Sequence, residues 1–244
     1  MTTVLMLGSG PNVVNARDLP RDAFAAVVTI NNAWRVRPDW DYLVYPEDFP
    51  ADRRPDALTK GQKIIAAEAF VPAQNAYGGF VYAGGTMAFT ASYWALHALR
   101  PRVIAYLGCD MMYPADGPTH FYGTGTADPL RQDISLRSLE AKSARLQVMA
   151  AEQGCALVNL GHDASRLVFP RAALADLPFV QPQDFNRRAI DVARRAEESL
   201  GYFVPSGRYW EQAARFDPDA LDRIDTLWHR AAALRSDPLC EKAA

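Results

Sequence analysis

The stretch from Arg102 to Gly125 concentrates residues able to handle protons. An apolar run, Val103-Ile104-Ala105-Tyr106-Leu107, leads into Gly108-Cys109-Asp110, and a short loop then carries Tyr113, His120 and Tyr122 among several glycines. An apolar run ending in glycine reads as a buried strand, and the loop leaving such a strand is where α/β proteins keep their chemistry. His120 is the candidate base, because an unperturbed imidazole titrates near pH ~6.5 and accepts a proton at neutral pH. It would serve equally as a structural hydrogen bonder. Tyr113 and Tyr122 offer phenol donors suited to a departing phosphate oxygen. Three tasks are open to Asp110: orienting His120, binding a ribose hydroxyl, or holding the loop backbone. Cys109 raises a thiol nucleophile, yet between Gly108 and Asp110 it reads as easily as a buried, inert thiol. The chain has no Gly-x-Ser-x-Gly turn, and Cys109, Asp110 and His120 lack the spacing of zinc ligands.

Three other places could receive a ligand. Gly8-Ser9-Gly10-Pro11-Asn12 follows the apolar run Thr3–Leu7, and its glycines would let backbone N–H groups approach a ligand ahead of a short helix beginning at Val13. The plainer reading is a strand-to-helix turn, since the third glycine of the dinucleotide fingerprint is missing. Asn31-Asn32 follows the run Ala25–Ile30; the amides could meet a base, ribose or phosphate, or could cap the next turn. Gly84-Gly85-Thr86 opens a segment with helical spacing up to Leu99, so Thr86 is the expected N-cap and a phosphate the natural occupant of that positive helix end. An ordinary capped core helix would look the same. Asp39-Trp40-Asp41 matches a metal-holding Asp-x-Asp pattern but precedes its strand, which puts it on the edge away from the site. It reads as a false positive, and Glu47-Asp48 as loop polarity.

These residues need strands and helices to hold them. Strands are expected at 3–7, 25–30, 41–45, 63–66, 103–107 and 156–160, and helices at 87–99, 133–152, 184–200 and 218–234. The rest of 51–80 reads as irregular. Alternating strands and helices predict an α/β three-layer sandwich with a mainly parallel sheet. Past Val180 the texture turns to charged helices around a break at 201–207, which predicts a domain over 1–180 and a C-terminal helical extension over 181–244 packed on it. Tyr202, Phe203, Tyr209 and Trp210 gather at that break, to pack back on the sheet, meet a second copy in a homo-oligomer, or wall an acceptor site.

Composition narrows the partners. The chain has 244 residues, 49% of them hydrophobic, and a formal net charge of −2, so neither nucleic acid nor anionic lipid is a default partner. Cys109, Cys155 and Cys240 are odd in number and widely spaced, which predicts reduced thiols, no structural metal and a cytoplasmic protein. No signal peptide or membrane-spanning run is visible.

In this order and spacing, the glycine turn at 8–12, Asn31-Asn32, Gly84-Gly85-Thr86, Gly108-Cys109-Asp110 and His120-Phe121-Tyr122-Gly123 resemble the bacterial sialyltransferases of glycosyltransferase family 42. They are also similar to the wider DUF115 group, which includes flagellin-glycosylating factors and a pterin pyrophosphokinase. The resemblance covers roughly the first 170 residues. It implies a Rossmann-like fold and metal-free, inverting transfer from a CMP-linked nonulosonate such as CMP-sialic acid to a glycan or other hydroxyl acceptor, with no cofactor beyond the nucleotide-sugar donor. The glycine turn and Asn31 or Asn32 would hold the nucleotide, with Gly108 and Tyr122 beside it. Gly84, Gly85 and Thr86 would border the phosphate, and His120 would deprotonate the acceptor. The chain departs from the family where Met112 stands at the phosphate-binding tyrosine's place, with Tyr113 one residue on, and in the short span from Asp110 to His120. The diphosphokinase alternative would need magnesium, for which Glu47, Asp48 and Asp110 are the available set. A third reading is a CMP-binding protein without catalysis.

Overall fold

The computed structural model describes residues 2–125 and 131–233; Cys240 and the last residues of the expected 181–244 segment lie outside them. Six strands, β1 (Thr3–Leu7), β2 (Ala26–Ile30), β3 (Tyr42–Val44), β4 (Lys63–Ile65), β5 (Val103–Leu107) and β6 (Ala156–Asn159), form one sheet in the order β4-β3-β2-β1-β5-β6. Every pairing is parallel. The central strands are buried on both faces, which is why their sequences are unbroken apolar runs rather than alternating ones.

The two faces are covered differently. On one, Met6, Ile30, Ile104 and Tyr106 pack against α1 (Ala67–Asn75), α2 (Phe80–Ala83), α3 (Met87–Leu99) and α4 (Leu139–Glu152), with α5 (Arg187–Leu200) and α6 (Pro218–Ala233) outside them. On the other, Leu5, Leu7, Val27 and Leu107 meet Val13, Ala16, Ala33 and Trp40. That second layer is built largely of 3-10 turns, Pro11–Asp18 and Asn31–Arg35, rather than α-helices. The α/β Rossmann-like sandwich is therefore present, with one thin layer.

Sequence patterning missed α1, inside the 51–80 stretch read as irregular, and α2, which begins at its last residue. Pro72 sits within α1, and Gly78 and Gly79, both at positive φ, end it before α2 begins. Breakers this close together hide helices of nine and four residues from a periodicity test, and tertiary packing, not propensity, holds them. The expected helix over 133–152 is a 3-10 turn at Ile134–Leu136 followed by α4, capped by Ser138, whose Oγ accepts from Ala141 N–H. The helix expected from 184 begins at Arg187, where Asn186 supplies the cap.

α5 and α6 lie in the same hydrophobic cluster as α3 and α4, so the helices of the 181–233 segment pack on the first domain and share its core. Of the aromatics at the break, Tyr209 is buried and stacks on Phe80, and Tyr202 stacks on Tyr82 at 6.4 Å, whereas Phe203 and Trp210 remain exposed.

β1 and β5 are joined beyond their ends. Gly8 N–H donates to Leu107 C=O at 2.9 Å, and Gly10 N–H donates to Gly108 C=O at 2.8 Å. The loops approach so closely that a Cβ on Gly8 would lie 2.3 Å from Gly108 O and 2.8 Å from Cys109 Sγ. The close approach that selects glycine here is to β5, not to a ligand. Gly8→Ala is expected to lower the unfolding free energy by about 3 kcal/mol, the upper end of ordinary overpacking, read as a lower urea midpoint. An unchanged midpoint would show that the two loops part freely.

Candidate functional site

The strand order reverses between β1 and β5: the chain builds outward from β1 through β4, then crosses back to lay β5 on β1's other side. Loops leaving the carboxyl ends of these two strands diverge, and open α/β sheets bind ligands in the crevice so formed. A cleft of about 770 Å³ occupies that place. Its walls include Gly8, Ser9, Gly10, Pro11, Asn12, Asn31, Asn32, Thr86, Gly108, Asp110, Tyr113, His120 and Tyr122, so residues more than a hundred positions apart converge as the sequence reading required. Gly84 and Gly85 are not among them. A Cβ on Gly84 would meet Phe89 and Lys142, and one on Gly85 would meet Ser135 Oγ and Tyr209 OH. These two glycines seat α3 against α4 and the 209 segment, and only Thr86 after them reaches the cleft.

Thr86 is the N-cap of α3, its Oγ1 accepting from Phe89 N–H at 3.3 Å. Met87 and Ala88 continue the cleft wall, so the helix presents its positive first turn to whatever the cleft holds. Two cations that sequence reasoning missed stand on the same walls, Arg53 and Arg166. Arg166 has only a loose pairing, 3.8 Å from Glu140, with both side chains 42% exposed, and its backbone N–H donates to Asp110 C=O. Arg53 ends a loop shaped by Arg54, whose guanidinium donates to the carbonyls of Glu47 and Phe49 and lies over the Tyr45 ring at 5.0 Å. A lone arginine in a loop carries no periodic signal; only the fold brings it to the cleft.

Asp110 is buried, and both carboxylate oxygens accept from amides: Oδ2 from Asn12 Nδ2 and Oδ1 from Asn159 Nδ2, each at 2.8 Å. These bonds tie Asp110 to the glycine turn and to the end of β6, and the partner at His120 Nδ1 is Thr119 Oγ1 at 2.8 Å rather than Asp110. Asn12 also donates to Asp163 Oδ2 at 3.0 Å, so both hydrogens of its amide go to carboxylates and its carbonyl oxygen must face away from them. Asn159 and Asp163 were not singled out beforehand. Asn159 ends β6 and Asp163 lies in the loop after it, where Arg171 further ties down the carbonyls of Gly161 and Asp163.

The side-chain carbonyl oxygens of Asn12, Asn31 and Asn32 are buried without a hydrogen-bond partner among the described residues, and all three residues line the cleft. Buried polar atoms are usually satisfied, and although Gln74, Asn75, Thr90, Arg102 and Asp225 also carry one such atom elsewhere, three gather at this cleft. Asn31 holds a left-handed backbone, φ 52°, and so does Met111, φ 53°. Asparagine tolerates that region and methionine does not, which stores on the order of 1–3 kcal/mol of strain at the cleft.

His120 is half-buried, and burial lowers its pKa below the ordinary histidine value. Its ring stacks on Tyr122 at 5.0 Å and lies 5.9 Å from that of Tyr113. The histidine loop is pinned to the glycine turn by Phe121 N–H donating to Ser9 C=O at 3.1 Å. Cys109 is buried, and desolvation with the adjacent Asp110 charge raises its thiol pKa far above the ordinary value, which leaves it inert as a nucleophile.

The Asp-x-Asp match serves the fold. Asp39 pairs with Arg37, which holds its carboxyl below the usual carboxylate range, and Asp41 accepts from Val27 N–H and Arg21 at 2.7 Å each. Of the magnesium set required by the diphosphokinase alternative, Asp48 and Asp110 line the cleft and Glu47 does not. Among the described residues, no three His, Cys, Asp or Glu side chains come together as a metal site, and no helix is long and apolar enough to cross a membrane. Comparison with protein-family models, curated proteins and solved structures gave no match to this chain.

Proposed function

We propose that the chain is an inverting glycosyltransferase that takes a nucleotide-activated sugar, a CMP-linked nonulosonate being the donor class, and uses His120 as general base. The observation that carries this is one cleft holding both a neutral, half-buried imidazole and three amide carbonyls without partners. Asn31 and Asn32 stand at the end of β2, where doubly wound folds place the acceptor for a ribose hydroxyl. The first turn of α3, with Arg53 and Arg166, suits a phosphate. A volume of about 770 Å³ is within the usual range for a small-molecule pocket.

In this reaction the acceptor hydroxyl gives its proton to His120 as its oxygen bonds to the anomeric carbon. The bond from that carbon to the phosphate oxygen breaks, and the nucleotide leaves as the monophosphate. Tyr113, the α3 amides and the two arginines are placed to stabilise the charge that develops on the leaving oxygen. Choosing CMP rests on the family resemblance; the amides and cations support a nucleotide more broadly.

A thermal-shift panel of CMP, CDP, UMP, UDP, GDP and ATP, each with and without magnesium, tests the assignment. CMP at about 100 times its dissociation constant is expected to add ~2.7 kcal/mol without metal. Stabilisation by ATP alone, and only with magnesium, would replace this reading with the diphosphokinase.

A further inference from the structure

The imidazole of His120 makes its only side-chain hydrogen bond among the described residues with its own chain neighbour, and the partners of that neighbour decide what the ring can do. Thr119 is 6% exposed, so its hydroxyl depends on protein partners. It has three: Gly125 N–H at 3.0 Å, Gly125 C=O at 3.3 Å, and His120 Nδ1 at 2.8 Å. A hydroxyl offers one hydrogen and two lone pairs. The Gly125 amide can only donate and its carbonyl can only accept. All three contacts are met in one way: Oγ1 accepts from the amide and from the imidazole, and gives its hydrogen to the carbonyl. Turning that hydrogen toward Nδ1 would keep two contacts and forfeit the third. The carbonyl contact is long for a hydroxyl donor, but the other two are common to both arrangements, so it breaks the tie.

We infer that Thr119 is a positioning residue that holds His120 with its hydrogen on Nδ1, leaving Nε2 as the atom that takes the proton. The packing of the ring agrees. A Cβ on Gly125 would stand 3.1 Å from Nδ1 and 3.3 Å from Cε1, so the loop closes against the Nδ1 edge. Tyr122 lies against the ring at 5.0 Å with planes 23° apart, and Nε2 has no hydrogen-bond partner among the described residues. The inference rests on the reading of His120 as a base and adds which nitrogen acts and what sets it.

The tautomer can be read without any substrate. Long-range 1H–15N spectra of the 15N-labelled full chain at pH 8 report which ring nitrogen of each histidine carries hydrogen, and His120→Gln identifies the His120 signals by their loss. The expected result is a protonated Nδ1 and a bare Nε2 on His120, kept in Thr119→Ser and moved in Thr119→Val toward the Nε2–H form that histidine prefers in water. With an active donor and acceptor, Thr119→Val should lower kcat by about 10- to 100-fold, the scale known for partners that orient a histidine, with KM little changed and with recovery in Thr119→Ser. Hydrogen on Nε2 in the wild type, or a tautomer indifferent to Thr119→Val, overturns the inference. If the valine variant does not fold, the wild-type spectrum alone decides. Failure of the transferase reading would show instead as absent turnover with the Nδ1–H tautomer intact.

Discussion

Replacing His120 with alanine is expected to lower turnover by about 10²–10⁴-fold, the usual contribution of a general base, while unfolding remains cooperative. The side chain is half-buried in a loop and its removal leaves no buried charge, so the unfolding free energy should change by less than about 1 kcal/mol. The pH profile carries a sign as well. Burial disfavours the imidazolium, so the folded pKa lies below the ordinary value of about 6.5, and the base is already neutral at pH 7. Wild-type kcat/KM should therefore be level from neutral pH upward and fall only as pH drops through that lowered pKa. The acid limb should vanish in the alanine variant. Transfer at the wild-type rate in purified His120→Ala would remove the base from the mechanism.

The second large effect is on stability. Glu197→Ala is expected to cost about 3–5 kcal/mol, the penalty for leaving one partner of a buried ion pair uncompensated. Glu197 in α5 accepts from Arg145 of α4 through both carboxylate oxygens, at 2.8 and 2.9 Å, and from Trp228 Nε1 of α6 at 2.7 Å. Arg145 also donates to Tyr93 OH and to Tyr77 C=O, and its guanidinium lies 5.3 Å from the Trp228 ring centroid. The Arg145 and Glu197 side chains are only 2% and 9% exposed, so losing the carboxylate leaves a buried guanidinium charge poorly compensated. Urea unfolding followed by tryptophan fluorescence measures the loss. Because the network spans α3 to α6, one transition at a lower midpoint is expected; a change under about 1 kcal/mol would show that solvent already enters the pair.

The same network explains why a boundary near residue 180, drawn where composition changes, does not part the protein into two cores. The extension's charged texture comes from the outer face of α5. Its inner face, with Ile190, Ala193 and Glu197, belongs to the common interior. Periodicity describes one helix at a time and cannot show that a glutamate on it meets an arginine 52 positions earlier.

Much of the cleft was legible beforehand because strand ends are legible. Gly8, Asn31 and Gly108 each end a regular apolar run, and in a parallel sheet all such carboxyl ends emerge on one edge; Thr86 was legible as a helix cap. That geometry also placed Asp39 and Asp41 on the opposite edge. What fails to show is anything dependent on loop path: Arg53, Arg166 and Asp163 have no local signature, and the glycine pattern at Gly84 and Gly85 points to a ligand although they face Lys142 and Tyr209.

The sequence by itself determined the parallel sheet, the cap of α3 and the gathering of histidine, tyrosines and amides at one edge, because burial and capping act within a few residues of the chain. Only the tertiary structure decided what each side chain does there. It turned the glycines of the first turn toward β5, gave both oxygens of Asp110 to amides, and set Thr119 rather than Asp110 against His120. A hydrogen-bonding group takes the partner that folding brings within about 3 Å, and chain spacing carries no record of that distance.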